Sequence, residues 1–267
     1  MQPVEQEHYL RLGLFLTVLI GMACWEIYVP RRKLTVARWL RWRNNLALSF
    51  INSILLKILL PVTATGAAAY AASYQWGLFN QLTLPAWLVI GVSIILLDLA
   101  IYGQHVAMHA FAPLWRLHRA HHADLDLDVT TGLRFHPLEM LLSMLFKLTI
   151  IVLIGAPVMS VLLFEIILSV MTMFNHGNVY LPRKLDNILR YLIVTPDMHR
   201  IHHSVHPAEM NHNFGFNLTV WDRLFATYRD QPQAGYDQMM IGLLRWRSSQ
   251  FCSRLASILR MPFERYS

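Results

Sequence analysis

The chain has 267 residues, of which 55% are hydrophobic and 15% charged, and its formal net charge is +7. An ordinary soluble domain carries about 25% charged residues, so this balance argues for membrane spans over a large soluble core. Cys24 and Cys252 lie far apart in no paired motif, which argues against a disulfide framework, a cysteine zinc site or a thiolate iron–sulfur cluster.

In chain order, the first ten residues carry Glu5 and Glu7 but no Lys or Arg. No small-residue cleavage site follows, so the apolar run at 13–29 is expected to be a retained span and not a removable signal. Further runs of spanning length occur at 46–72 and 86–102. A run at 138–175 is too long for one crossing and holds Gly155-Ala156-Pro157 near its middle. That tripeptide predicts a turn, giving a helical hairpin of two spans at about 138–154 and 158–175.

Twenty of the 23 Lys and Arg residues fall in 30–44, in 103–137 and after 175, whereas 73–85 and the turn at 155–157 carry none. The positive-inside rule then places those three basic regions in the cytoplasm and the N-terminus outside. The expected architecture is all-α: four to five membrane spans, five by this count, capped by a cytoplasmic helical domain. The expected divisions are N-terminal spans over 1–85, a catalytic region over 86–230 and an amphipathic C-terminal tail over 231–267. The basic charge is explained by topology and by contact with anionic lipid, without nucleic acid. In the tail, 244–263 mixes Trp246, Phe251, Leu255, Ile258 and Leu259 with four arginines. It reads as a helix lying on the inner leaflet or, alternatively, packed on the catalytic region.

Charges inside spans are costly and therefore informative. Lys147 and Glu165 lie nine residues either side of Ala156, so a hairpin turning there sets them at similar depth, able to pair. Asp98, Tyr102, His105 and His109 follow i, i+4, i+7, i+11 spacing and share a helix face.

Thirteen histidines are the main anomaly, most of them between His105 and His212. His105 and His109 form HxxxH; His118, His121 and His122 form HxxHH; His199, His202 and His203 form a second HxxHH. On a helix each box presents its imidazoles on one face. Clustered imidazoles repel one another when protonated and strand polar nitrogens when neutral and buried; a divalent metal resolves both problems. Eight rings are too many for one ion. Two ions sharing eight or nine rings is the economical count, with His176 in Asn175-His176-Gly177-Asn178 as the ninth. His136 reads equally as a ligand or a loop anchor, His206 and His212 as supporting or surface residues, and His8 as solvated.

At these residues the chain resembles the fatty acid hydroxylase/sterol desaturase superfamily of integral-membrane di-iron enzymes, over roughly residues 90–230. The resemblance rests on Asp98 with its HxxxH, the first HxxHH, Thr131-Gly132-Leu133-Arg134-Phe135-His136-Pro137-Leu138-Glu139, the second HxxHH after Thr195-Pro196-Asp197, Asn213-Phe214-Gly215, and Trp221-Asp222-Arg223-Leu224-Phe225-Ala226-Thr227-Tyr228. That last stretch is similar to the alkylglycerol monooxygenase branch. The resemblance implies iron ligands at His105, His109, His118, His121, His122, His199, His202 and His203, with His176 added. It implies two Fe ions, with zinc as an occupant of purified samples, and O2 as oxidant. Fatty acid 2-hydroxylases of the superfamily carry a second histidine four residues after the one matched by His176, where this chain has Tyr180. No fused cytochrome domain is expected, so electrons come from a separate transfer protein.

The implied activity is hydroxylation or desaturation of a lipid C–H bond in a bacterial inner membrane. Asp98, Asn213 and Asn175 are expected to orient ligand imidazoles. Rival readings are a membrane zinc hydrolase, which predicts an HExxH-type box that is absent here, and a metal transporter, which predicts ligands at mid-membrane depth. A non-enzymatic metal-binding membrane protein is the third.

Overall fold

The computed structural model describes residues 3–264. Among them there is no β-strand, only three isolated bridges, and five helical segments are long and apolar enough to cross a membrane. The protein is thus an all-helical, multi-pass membrane protein.

The spans are α1 (Pro3–Tyr28), α2 (Arg38–Leu59) with its continuation α3 (Ala64–Ser73), α4 (Ala86–Ala110), and the hairpin α6 (Pro137–Ile154) and α7 (Val158–Asn175). Between α4 and α6 lies the short α5 (Ala112–His122). Beyond α7 come α8 (Arg183–Leu189) and α9 (Pro196–His202), followed by irregular chain with brief helical turns.

The hairpin turns at the expected tripeptide, with Gly155 in the left-handed region at φ 66°. Gly77, at φ 90°, lies against it, and a Cβ there would sit 2.2 Å from the Gly155 nitrogen. Both positions require glycine, and together they seat the chain after α3 on the tip of the hairpin. The run at 46–72, expected as one span, is instead broken at 60–63. Pro61 lacks an amide proton and holds Leu60 extended. Thr63 then restarts the helix by accepting from the Gly66 amide. α3 packs on α6 and α7, and Ala64, Ala68, Leu97, Ile151, Val161 and Phe164 make the apolar core there.

Lys147 and Glu165 pair across the hairpin, as their spacing predicted. The sequence pattern did not announce the third member: Arg11 of α1 donates to Glu165 Oε2 at 2.8 Å and to Glu7 at 2.9 Å.

At the opposite end of the spans, the loop 123–131 is fastened to the start of α2. Arg41, fully buried, donates to both oxygens of Asp124 and to Asp128, and Asp126 accepts from the Thr35 and Val36 amides. Burial raises the Asp124 pKa, but the charges and hydrogen bonds of Arg41 outweigh it and hold the carboxyl at about 2.

The C-terminal tail does not form one amphipathic helix. It breaks into turns at Ser249–Cys252 and Leu255–Arg260. Trp246, Cys252, Ile258 and Met261 are buried with Val36, Leu48 and Ala120 against α2 and α5. The cause is visible in two buried guanidiniums: Arg119 donates to the Met261 and Glu264 carbonyls, and Arg134 to that of Cys252. The Leu255 amide is also taken by Asn44 Oδ1 of α2, which interrupts the helix there, and the tail packs on the body of the protein.

Candidate metal centre

Four elements deliver histidines to one place. The end of α4 carries His105 and His109, one turn apart. Pro113 in the first turn starts α5, whose last turns carry His118, His121 and His122. His176 is the C-cap of α7. Thr195 caps α9, accepting from the Met198 amide at 3.3 Å, and α9 presents His199 and His202 with His203 at its end.

These nine rings sort into two groups. His105, His109, His118, His122 and His202 each offer a nitrogen, all within 4.8 Å of one another; His121, His176, His199 and His203 do the same. The groups touch: the His122 and His203 rings stack at 4.5 Å and 17°, and His121 faces His203 at 4.7 Å.

Ring tautomers follow from the outer partners. His105 Nδ1 lies 2.7 Å from the Phe214 carbonyl, and His118 Nδ1 lies 2.6 Å from Glu139 Oε1. Both partners are acceptors, so both Nδ1 atoms donate and both Nε2 atoms carry lone pairs. Those Nε2 atoms face each other at 3.1 Å. Two lone pairs at that distance repel unless a cation lies between or beside them. His202 repeats the pattern: its Nδ1 donates to the His212 carbonyl at 2.9 Å, and its Nε2 has no protein partner. In the second group His176 Nδ1 donates to the Thr172 carbonyl at 2.7 Å, which leaves its Nε2 to accept. The Nε2 atoms of His121 and His199 both lie 3.1 Å from it. Both ring nitrogens of His122 and of His203 are buried without partners.

Electrostatics favour the neutral, ligand-competent form. Burial first, then the neighbouring rings, push His121, His122, His199, His202 and His203 well below the ordinary imidazole range. Burial takes His176 down to about 4 despite its bond to Thr172. Neutral imidazoles with inward lone pairs, in groups of five and four, fit two divalent cations.

The profile of the fatty acid hydroxylase family matches residues 90–227, just over half of the chain and all nine clustered histidines. The chain belongs to the fatty acid hydroxylase family. It is 28% identical to an ornithine lipid hydroxylase from Rhizobium tropici over 212 residues, covering 77% of this chain and 59% of that protein. It is 24% identical to an alkylglycerol monooxygenase from Xenopus tropicalis, covering 70% of this chain and 41% of the relative. A Delta(7)-sterol-C5(6)-desaturase from Nicotiana tabacum is 26% identical, covering 55% of this chain and 52% of the relative. The chain therefore spans about 40–60% of the length of these curated relatives. No solved structure matches it.

Within this family region, the structure brings the eight box histidines and His176 together. The hydrogen bonds of the other expected site residues go to partners other than the clustered rings. Asp98 lies two turns below His105 on α4, about 10 Å along the axis. It accepts instead from Asn217 Nδ2 at 2.8 Å, Trp221 Nε1 at 2.7 Å and the Leu218 amide. Its expected bond to a ligand imidazole is thus corrected: Asp98 anchors the segment that ends in the family's Trp-Asp-Arg stretch.

Asn213, at φ 57°, donates to the Met198 and Arg229 carbonyls and accepts from the Arg229 amide. It acts through its neighbours, because the carbonyls on either side of it, His212 and Phe214, are those that receive His202 and His105. Asn175 donates to the Phe216 carbonyl and not to a ring. His136 caps α6, accepting from the Leu138 amide and donating to the Leu259 carbonyl, so its reading as a cofactor residue gives way to loop anchoring. His206 and His8 are exposed, and His212 serves through its carbonyl.

Sequence reasoning missed Glu139 as a site residue. It lies in the Arg134-Phe135-His136-Pro137-Leu138-Glu139 stretch, but only the fold shows that the first turn of α6 sets its carboxylate on His118. The backbone acceptors Phe214, His212 and Thr172 leave no trace in side-chain spacing.

Proposed function

We propose that this protein is an oxygen-dependent lipid oxidoreductase, a hydroxylase, in which the nine clustered histidines hold two iron ions. One observation carries the reading: the lone pairs of His105 and His118 converge at 3.1 Å on the wall of a cavity of about 540 Å³ that runs into the membrane-spanning helices. Its wall also includes Met108, Gly132, Phe135, Met140 and Leu168, from α4, α6, α7 and the loop between α5 and α6.

Held by the five- and four-histidine groups, two ferrous ions would supply reductive activation of O2, the chemistry that hydroxylation of an unactivated C–H bond needs. The protein's own part is to orient and to seal. Glu139, Phe214 and His212 fix the tautomers of His118, His105 and His202 so that the lone pairs point inward. Phe135 stacks on His121 at 4.5 Å and 10°, closing the cavity floor against the four-histidine group. The surrounding burial keeps bulk water from the rings.

Lipid as the substrate class is supported by the membrane setting of the cavity and by relatives that include an ornithine lipid hydroxylase and an alkylglycerol monooxygenase. Hydroxylation is favoured over desaturation because the hydroxylase and the monooxygenase cover more of this chain than the desaturase does. The distribution of Lys and Arg supports a histidine layer on the cytoplasmic side of a bacterial inner membrane. There a separate electron-transfer protein delivers the two electrons each turnover needs. The test is to load purified protein with Fe(II), add a chemical reductant and isotopically labelled O2 in a total bacterial lipid extract, and look for labelled oxygen in lipid. Unlabelled lipid together with no oxygen uptake would falsify the assignment.

A further inference from the structure

The cavity that reaches His105 and His118 is mainly apolar, but polar and charged side chains interrupt its walls. Beside its apolar walls it presents Ser49, Asn52, Gln104, Ser143, Lys147 and Glu165. Arg11 completes its far end, and a second cavity of about 350 Å³ between α1, α2 and α7 shares Arg11, Ser49, Ser53 and Glu165 as a common wall. Leu12, on that second wall, is exposed, and the shared wall residues set the two cavities in sequence from the outer surface of the spans towards the histidines.

Three groups along this path have hydrogen-bonding capacity to spare. Lys147 gives one proton to Glu165 Oε1 and its ammonium has two more. Asn52 donates to the Phe135 carbonyl, while its Oδ1 is buried without a partner. Glu139 binds His118 through Oε1, and its buried Oε2 has no partner. Glu139 and Lys147 are eight residues apart on α6, about 12 Å along the helix axis. A bare acyl chain in this space would leave all three unsatisfied, in a setting where unpaired polar and charged groups are most costly. Glu165 keeps both its ion pairs in any case, so the charge cluster does not need a ligand to be neutral; the spare donors and acceptors point to one.

Resting on the lipid-oxidoreductase reading, we propose that this cavity takes a polar headgroup segment of the lipid. The segment carries an oxyanion or carbonyl received by Lys147 and, on the order of 10 Å away, a hydroxyl or ammonium received by Glu139 Oε2 beside the histidines. The oxidised carbon lies in that segment. The acyl chains remain in the bilayer, outside the portal between α1, α2 and α7.

The test compares two probes on iron-loaded protein under argon, where no turnover occurs: N-palmitoyl-lysine, with carboxylate, amide and ammonium, and methyl palmitate, with the same chain and a weak acceptor only. N-palmitoyl-lysine is expected to bind roughly tenfold more tightly, the range of one charge-assisted hydrogen bond. Lys147→Met removes most of that preference and leaves methyl palmitate unchanged; Lys147→Arg restores it. Glu165 retains Arg11 in both variants, and iron content reports whether the fold survives. Equal or tighter binding of methyl palmitate to the unaltered protein overturns the proposal, as does binding of neither probe or an equal loss for both in Lys147→Met. Oxygen uptake with a mixed lipid extract is measured separately. A protein that oxidises lipid but shows no headgroup preference sinks this inference alone, and one that takes up no oxygen sinks the reading beneath it.

Discussion

The two histidine groups are built from the same kind of ligand and held in different ways. In the five-member group, His105, His118 and His202 are each steered by a specific acceptor, and two of these rings form the wall of the 540 Å³ cavity. In the four-member group only His176 has such an acceptor, and none of the four lines that cavity. His121 is held by stacking on Phe135, and His203 by stacking on His122. The cavity-facing group is therefore fixed by hydrogen bonds that set the direction of its lone pairs. The inner group is held by packing, where a bound ion would supply the last constraint. The reactive carbon is expected to meet the first group, with the second serving as the partner ion's seat.

The largest effect should come from emptying one seat at a time. His118→Ala is expected to lower lipid oxidation beyond the roughly 10–100-fold typical of lost orienting partners. It should leave the four-histidine position loaded, so iron falls towards one per chain. His203→Ala should empty the other position and reduce activity as severely. If either variant keeps full activity at unchanged iron content, the two-seat description is wrong.

A smaller effect isolates orientation from ligation. Glu139→Ala should cost about 10–100-fold in activity or metal affinity by freeing the His118 ring. Glu139→Gln, whose amide oxygen still accepts from Nδ1, should recover part of it. Metal content measured beside rate separates this from misfolding.

Smaller again is a steric probe of the packed group. A Cβ on Gly132 would sit 2.8 Å from the Thr172 carbonyl and 3.3 Å from His176 Nδ1. Gly132→Ala should then destabilise by about 1–3 kcal/mol and weaken the four-histidine seat more than the five, read by thermal unfolding and by stepwise metal titration.

The last effect is confined to pH dependence. Burial raises Asp222 from 3.8 to about 6, although it accepts from the Phe214 and Gly215 amides. A carboxyl raised on folding adds stability that is fully present below pH 3.8 and is lost as pH rises through about 6. The unaltered protein should lose at most about 3 kcal/mol between pH 4 and 7 from this source, taking 1.36 kcal/mol per unit. Asp222→Asn should lack that slope, whatever its offset at a single pH.

What could be read from the sequence was whatever depends on spacing along one helix. HxxxH and HxxHH put rings on one face, and nine residues either side of a Gly-Ala-Pro turn put Lys147 opposite Glu165. What could not be read depends on segments remote in sequence. Arg11 reaches Glu165 from 154 residues away in the chain, and Phe214 reaches His105 through a backbone carbonyl that any residue type could offer. Asp98 shows the limit of the face argument. It shares a face with His105, but two turns of helix separate them, and Trp221 and Asn217 fill the space beside it. The tail misled for a related reason: its amphipathic pattern is real, but Arg119 and Arg134 draw its apolar side onto the body of the protein.

Iron per chain after anaerobic Fe(II) loading tests the central claim most directly. Two ions in the unaltered protein, falling to one in His118→Ala and in His203→Ala and to none in the double variant, is the predicted series. One ion or fewer in the unaltered protein, or two retained in the double variant, would contradict it.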